Sequence, residues 1–152
     1  MSALRAWWVL LDAPTHSQHA GASMLVEGIV NPQVLSLIAR VRHTNTLVIA
    51  DAAFPFWPEI ETVDLSLVRG VPTVLQVAEA ILANWKCGEV FMAEEFKSHN
   101  ERKHQAAFAR ICKGLTMTFE PHLEFKKRVP HAVGLIRTGD TTAYGNMILV
   151  SV

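Results

Sequence analysis

Residues 46 to 50, TLVIA, form a short apolar run rich in β-branched side chains, and this run sets the strongest constraint on the fold. Such a run is typical of a β-strand that is covered on both faces, because a half-exposed strand alternates apolar and polar residues. Two titratable side chains bracket the run, His43 before it and Asp51 directly after it. The sequence therefore predicts a buried strand with a titratable group near each end.

Helical patterns precede and follow this strand. Asn31 as an N-cap and Pro32 in the first turn open a helix whose apolar residues recur at i, i+3, i+4 and i+7. We expect this helix to stop near His43. A second stripe of the same kind covers residues 74–82, so helices are predicted on both sides of TLVIA in the chain.

The second half of the chain continues the alternation. Ser98, with Glu101 three residues later, fits a capping box for a third helix that ends at Gly114. Further patterns predict strands at VDLSLV (63–68), EVFMAEE (89–95), LTMTFE, HAVGLIR and NMILVSV, and a short helix at HLEFKKR. We therefore expect an α/β single domain with a mixed or mostly parallel sheet flanked by helices.

Regular patterning begins only at Met24, which could itself be the natural start. Residues 1–23 show no such pattern, and we interpret them as an appended or loosely attached N-terminal extension. Their short apolar patch is cut by Asp12 and Pro14, which makes this segment a weak export signal at best. Residues 24–152 are the predicted domain.

The charge balance and the cysteine content limit which binding partners and which cellular compartment we expect for this protein. The 14 basic and 14 acidic residues cancel, and no stretch concentrates Lys or Arg enough to follow a phosphate backbone, so we expect no nucleic-acid partner. No apolar run reaches the roughly 18 residues of a membrane helix, so we expect no membrane partner. Cys87 and Cys112 fit no zinc pattern, and we interpret them as reduced thiols of a cytoplasmic protein.

Motifs for metal, nucleotide and nucleophilic chemistry are missing from the sequence. None of the seven histidines belongs to an HxH or HExxH pair, and the chain has no GxSxG elbow, GxGxxG loop or GxxxxGK[ST] loop. We therefore predict no metal site and no cofactor.

Polar side chains do gather at the predicted element junctions, where an α/β sheet binds its ligands. They are His43, Asp51, the segment EEFKSHN (94–100), His122 and the tripeptide Tyr144-Gly145-Asn146. Imidazole, carboxylate, phenol and carboxamide groups suit the binding of hydroxyls and the movement of protons. A small polyol or sugar is the predicted ligand, although each residue taken alone is explained as well by a cap, a turn or an edge aromatic.

Several segments in register carry a more specific signal than any single residue. From about Met24 to the C-terminus, RHTNTLVIADAAFP, GVPTVLQV, AEEFKSHN, PHLEFK and LIRTGDTTAYGNMIL resemble the D-ribose pyranase and L-fucose mutarotase family, also called the RbsD/FucU family. The resemblance implies an RbsD-like fold and a cofactor-free mutarotase that opens and recloses the ring of a reducing monosaccharide. It also implies a homo-oligomeric ring, pentameric or decameric, with sites near subunit interfaces.

The resemblance also assigns roles to individual residues. It implies a proton donor at His43 and sugar-binding positions at Asp51, His122, Tyr144, Gly145 and Asn146. Arg42 stands where the family usually has glycine, beside the implied proton donor. His122 is the residue typical of ribose pyranases, whereas Gly145 is the version common in fucose mutarotases, so D-ribose is the favoured substrate and L-fucose the alternative.

The separation of His43 and Asp51 poses a geometric problem. Eight extended steps at about 3.3 Å each would place them roughly 26 Å apart, on opposite edges of the sheet. Either residues 43–45 fold back, or the two side chains serve sites shared between neighbouring subunits. Two further functions stay open at this point, a non-catalytic monosaccharide-binding accessory protein and a structural ring-forming protein.

Overall fold

The structure is a computed structural model that describes residues 28–152; the predicted extension, residues 1–23, lies outside the described residues. Its helices are Pro32–Ile38 (α1), Val74–Asn84 (α2), Glu95–His99 (α3), Arg102–Ile111 (α4) and His122–Arg128 (α5), with a short 3-10 helix at Val129–His131. Its strands are Thr46–Ala50 (β1), Glu61–Asp64 (β2), Cys87–Ala93 (β3), Thr116–Glu120 (β4), Gly134–Arg137 (β5) and Met147–Ser151 (β6).

The six strands form one mixed sheet in the order β2-β5-β1-β6-β3-β4. β5 is parallel to β1 and β2, and β3 is parallel to β4, whereas β6 is antiparallel to both of its neighbours, β1 and β3. Five strands therefore end at the same edge of the sheet, and β6 begins there. The predicted α/β domain with a mixed sheet flanked by helices is confirmed.

β1 is buried on both faces, as the TLVIA run predicts. Leu47 and Ile49 belong to the larger core cluster, which includes apolar side chains of α1, α2, α3 and α4. Val48 and Ala50 belong to a second cluster on the opposite face, around Phe125 of α5. Since full burial of such an aliphatic side chain contributes about 1.5–3 kcal/mol, the two clusters fix which way each side chain of β1 points.

Helix α1 ends five residues earlier than the position near His43 that the sequence suggests. The helix begins as predicted, with the Asn31 carboxamide accepting a hydrogen bond from the Val34 amide. The Ala39 amide still bonds four residues back, to Leu35, but the next two amides reach back only three residues, from Arg40 to Leu37 and from Val41 to Ile38. These tighter bonds turn the chain out of the helix before residue 42.

Two other expectations are wrong in detail. The capping box predicted at Ser98 does not form, because Ser98 lies inside α3 and its hydroxyl donates to the Glu95 carbonyl. The strand predicted at 63–68 ends at Asp64, whose carboxylate accepts a hydrogen bond from the Ser66 amide and turns the chain. Helix α5, by contrast, spans the predicted HLEFKKR segment. None of the described helices is long and apolar enough to cross a membrane.

Candidate functional site

The carboxyl edge of the sheet brings together residues that are far apart in the sequence. Asp51 follows β1, His122 follows β4 as the first residue of α5, and Tyr144 and Asn146 precede β6. Because β6 is antiparallel to its neighbours, the N-terminal end of β6 lies beside the C-terminal ends of the parallel strands. These four side chains line one cleft of about 330 Å³, together with Ala53, Phe54, Pro55, Lys126 and Ala143.

Asn146 fixes the position of Asp51. Its side chain is only 2% exposed, and its carboxamide oxygen accepts a 2.7 Å hydrogen bond from the Asp51 amide. The Asp51 carboxylate in turn accepts a hydrogen bond from the Ala53 amide at 2.9 Å. The Asn146 oxygen is thereby committed to the backbone, so this side chain has its amide hydrogens to offer a ligand.

His122 is held by its backbone and by the rings around it. Its amide donates to both carboxylate oxygens of Glu95, at 3.0 and 3.2 Å. The imidazole is stacked on Phe125, with ring centroids 6.1 Å apart, and meets Phe54 and Tyr144 edge-on. Its Nδ1 is buried without a hydrogen-bond partner among residues 28–152, which is rare for a buried polar atom.

The charge state of His122 follows from these surroundings. Burial lowers the pKa of His122 below the usual 6.5, the Lys126 ammonium lowers it further, and the Glu95 and Asp51 carboxylates act in the opposite direction. The ring is therefore neutral at physiological pH. A neutral imidazole has one N–H donor and one acceptor nitrogen, which is the combination that a sugar hydroxyl can match.

Tyr144 has a left-handed backbone conformation with φ of 54°. Its ring packs between His122 and His99, with centroids 5.0 and 4.8 Å away. Asn100, at the end of α3, donates a 2.7 Å hydrogen bond to the Ala143 carbonyl and supports this turn. Such a conformation persists in a bulky residue only where the surroundings fix it, so the orientation of the phenol is determined by the fold.

Gly145 serves the site through its small size. A Cβ atom added here would lie 3.1 Å from two side-chain carbons of Thr142, and the Gly145 amide donates to the Thr142 carbonyl. This close approach keeps the turn before Asn146 tight. The predicted tripeptide is thus placed at the cleft, with Tyr144 and Asn146 lining it and Gly145 closing the turn between them.

His43 lies at the opposite edge of the sheet. The next residue, Thr44, donates from its amide to the carbonyl of Ser151, the last residue of β6. At about 3.3 Å per residue, β1 alone separates this edge from Asp51 by roughly 17 Å. The expectation that residues 43–45 fold back to join Asp51 within one chain is therefore wrong. The structure brings together all the predicted site residues except His43.

The side chain of Arg42 is bonded to the backbone that follows α1. Its guanidinium donates to the carbonyls of Ala39 and Val41, at 2.6 and 2.9 Å. These carbonyls lie at the C-terminal end of α1, where a cation stabilises the helix dipole. Arg42 accordingly acts as a cap for α1.

Sequence reasoning missed Lys126, which lines the cleft, and the contact that Glu95 makes to His122. Lys126 lies one helical turn after His122, and this i, i+4 spacing within HLEFKKR was the available signal. Glu95 belongs to the EEFKSHN segment, but its bond to the His122 amide depends on the pairing of β3 with β4, which brings the ends of these strands together.

A second and larger cleft, of about 620 Å³, adjoins the first and shares Asp51, Ala53 and Ala143 with it. Its other wall is the loop after β2, including Leu67, Val68 and Arg69. Leu67 is 78% exposed and Val68 60% exposed, which is unusual for adjacent aliphatic residues beside a polar cleft. The edge that carries Asp51 thus has a wide, partly apolar approach. Among residues 28–152, no group of three or more His, Cys, Asp or Glu side chains is placed to hold a metal ion.

Comparisons with known proteins agree with this geometry. Residues 24–152 match the RbsD / FucU transport protein family. D-ribose pyranases from Geobacillus kaustophilus and Chromobacterium violaceum are each 38% identical over 128 residues, which is 84% of this chain and 93% and 97% of theirs.

Solved structures give the same result. The structure of Bacillus subtilis RbsD complexed with D-ribose superposes with a TM-score of 0.79 at 30% identity, covering 84% of this chain and 97% of that one. A fucose mutarotase from Streptococcus pneumoniae in complex with L-fucose superposes with a TM-score of 0.68 at 20% identity, covering 80% and 91%, and supports the fold alone.

Proposed function

This chain belongs to the RbsD / FucU transport protein family, and from that membership and the cleft at the carboxyl edge we propose that it is a cofactor-free sugar mutarotase. It interconverts the pyranose and furanose forms, and the anomers, of a reducing monosaccharide. D-ribose is the favoured substrate, because the relatives at 38% identity are D-ribose pyranases. L-fucose is the alternative.

The observation that carries this proposal is the cleft lined by Asp51, His122, Tyr144 and Asn146. Its polar groups include a carboxylate, a neutral imidazole, a phenol and a carboxamide amide, which together accept from and donate to several hydroxyls at fixed positions. Its volume of about 330 Å³ suits a single sugar ring. We assign sugar binding to these four residues, with Gly145 shaping the turn between two of them.

The reaction needs only proton transfers. A proton is delivered to the ring oxygen while the anomeric hydroxyl loses one, the bond between the anomeric carbon and the ring oxygen breaks, and an open-chain aldehyde forms. The reverse steps close the ring through another hydroxyl or on the other face of the carbonyl. Positioned acid–base catalysis contributes roughly 10²–10⁴-fold, which suffices for a reaction that already proceeds in water.

We assign the acid–base role to His43, supplied by a second copy of the chain. The imidazole of His43 is exposed, and imidazole is the side chain that most often transfers protons in general acid–base catalysis. Its location at the far edge of its own sheet supports a site shared between subunits, because in a ring one subunit's far edge can meet its neighbour's cleft. The larger cleft beside Asp51, with exposed Leu67 and Val68, is the proposed approach for that neighbour.

A shared site requires a homo-oligomer, which we propose to be the pentameric or decameric ring that the family resemblance implies, and we place the enzyme in the cytoplasm. Both cysteines, Cys87 and Cys112, are free, which suits a reducing compartment. A monomer by light scattering at assay concentration would contradict the shared site.

Exchange NMR tests the activity directly. Magnetisation transfer between the ring forms of D-ribose, and then of L-fucose, is measured with the wild-type protein, with His43→Ala, and with His104→Ala, which removes an exposed histidine of α4. We expect faster exchange with the wild type and with His104→Ala, and none above the uncatalysed rate with His43→Ala. No acceleration of either sugar would contradict the mutarotase proposal, and retained sugar binding would then favour the accessory protein.

Mixing variants tests the shared site. His43→Ala and Asp51→Ala are each expected to be inactive alone, since every site then lacks one group. If sites are shared, randomly mixed oligomers contain about a quarter of sites with both groups intact, and activity returns to that level. Mixtures that stay inactive after subunit exchange would show that both groups come from one chain.

A further inference from the structure

The turn at residues 42–45, which carries His43, is closed from two directions by Asn45. The carboxamide oxygen of Asn45 accepts a 2.8 Å hydrogen bond from the Arg42 amide. The Asn45 amide donates to the Arg42 carbonyl at 3.0 Å. Asn45 therefore bonds to both backbone groups of the residue just before His43.

The end of β6 holds the other side of this turn. The Ser151 amide donates to the Asn45 carbonyl at 3.0 Å, and the Thr44 amide donates to the Ser151 carbonyl at 3.1 Å. The Ser151 hydroxyl, on a residue that is only 4% exposed, donates to the carbonyls of Arg42 and Asn45. An exposed four-residue turn is thus anchored to a buried strand.

The backbone of Thr44 shows why the anchoring matters. Its φ of 65° lies in the left-handed region, which is unfavourable for a β-branched residue. Without the bonds from Asn45 and Ser151 the turn would relax to a right-handed or extended conformation. That change would redirect the neighbouring His43 side chain, because consecutive residues share the peptide plane that rotates.

From this geometry we propose that Asn45 is a positioning residue for the reaction, which holds the exposed His43 imidazole at a fixed angle for the neighbouring subunit's cleft. Ser151 is its partner in that role. The inference rests on the proposed function, specifically on His43 as the acid–base group. Neither Asn45 nor Ser151 touches the substrate.

Three variants of the full-length protein test this inference by the exchange assay. Asn45→Ala removes the side-chain acceptor, and we expect kcat to fall at least tenfold while KM stays within twofold, because KM reflects the intact carboxyl-edge cleft. Asn45→Asp keeps an acceptor oxygen, and we expect it to restore most of kcat. The matched control is Asn31→Ala, which removes the cap at the other end of α1 and should leave kcat unchanged.

A pH profile separates positioning from general destabilisation. The carboxylate introduced by Asn45→Asp lies two residues from His43 and favours the protonated imidazole. We therefore expect the limb of the kcat profile that reports His43 to move to higher pH in Asn45→Asp, and not to move in Asn31→Ala. A profile that coincides with the wild type would overturn the placement of Asn45 beside the reacting group.

The outcomes distinguish this inference from the proposed function. Wild-type kcat in Asn45→Ala, with His43→Ala inactive, overturns the positioning role and leaves the mutarotase proposal intact. Wild-type exchange in His43→Ala removes the acid–base role of His43 and the positioning inference with it, whereas a wild-type protein that accelerates neither sugar contradicts the mutarotase proposal. Should Asn45→Ala fail to fold, Ser151→Ala replaces it. A tenfold loss of kcat then supports the inference, and an unchanged kcat overturns it.

Discussion

The two edges of the sheet present their polar side chains in different ways. At the carboxyl edge, Asp51 is bonded to Asn146, His122 packs against Tyr144, and all four side chains line one cleft of a single chain. At the opposite edge, His43 is exposed on a turn that is firmly held by Asn45 and Ser151 but has no second catalytic group beside it among the described residues. Under the proposed function, this difference means that the sugar is bound inside one subunit, whereas the acid–base group is presented outward for another.

The largest expected effect is a loss of stability when the aromatic side chain packed against His122, at the carboxyl edge, is removed. Phe125 is fully buried and stacks under His122, and Phe125→Ala should reduce the free energy of unfolding by about 3–5 kcal/mol. Chemical denaturation measures this loss. Leu123→Ala, on the same helix but 73% exposed, is the control and should change stability by less than about 0.5 kcal/mol. A large change in the chemical shift of the Thr44 amide in Phe125→Ala would show that the two edges of the sheet are not structurally independent.

Asn146 gives the next largest effect. Asn146→Leu leaves the partly buried Asp51 amide without its acceptor, which should cost about 1 kcal/mol of unfolding free energy. Sugar affinity should fall as well, since the Asp51 backbone loses its anchor. Asn146→Asp keeps an acceptor oxygen and should recover part of the stability. If calorimetry finds that Asn146→Leu is as stable as the wild type and binds sugar as tightly, then Asp51 does not depend on its hydrogen bond to Asn146.

A smaller effect is expected at the other edge from Arg42. Arg42→Ala removes the guanidinium from the end of α1, and an exposed helix-terminal cation contributes about 0.3–1 kcal/mol. Turnover should stay within twofold, because the guanidinium is bonded to the backbone carbonyls of Ala39 and Val41. Thermal unfolding and the exchange assay measure both quantities. A tenfold change in turnover would show that the charge itself, and not the cap, matters at this edge.

The smallest effect is a pH dependence that belongs to His122. Its folded-state pKa is lowered mainly by burial, so the unfolded chain binds a proton at higher pH than the folded chain does. Stability is therefore greatest above the unfolded value of about 6.5 and declines as the pH falls below it. Wild type should lose more thermal stability between pH 7 and pH 5 than His122→Gln does. Equal losses in both proteins would assign the decline to other groups.

Local sequence patterns predicted the elements that depend on local physics. The TLVIA run and the HLEFKKR segment were placed correctly, because burial on both faces and helical periodicity are visible within a few residues. The capping box predicted at Ser98 does not form. Helix α3 begins at Glu95 and includes Ser98, so the Ser98 hydroxyl donates a hydrogen bond to the Glu95 carbonyl. A serine hydroxyl can bond to the backbone of either of two neighbouring turns, and a short sequence pattern does not show which of these bonds forms.

The arrangement of the site could not be read in the same way. Asn146 lies beside Asp51 because β6 is antiparallel to β1. Nothing within the segment NMILVSV specifies the direction of this strand. The separation of His43 from Asp51, in contrast, follows from the length of one extended strand and could be predicted. Distances along a strand are local information, whereas strand order and direction are properties of the whole chain.

The antiparallel strand β6 has one more consequence. Its first neighbour in the chain, Asn146, lies in the sugar cleft, and its last residue, Ser151, holds the turn that carries His43. In the proposed ring these two ends belong to different catalytic centres, one formed mainly by the subunit itself and one formed mainly by its neighbour. A single five-residue strand would therefore be common to two consecutive centres, so a displacement along its axis could not alter one of them without altering the next.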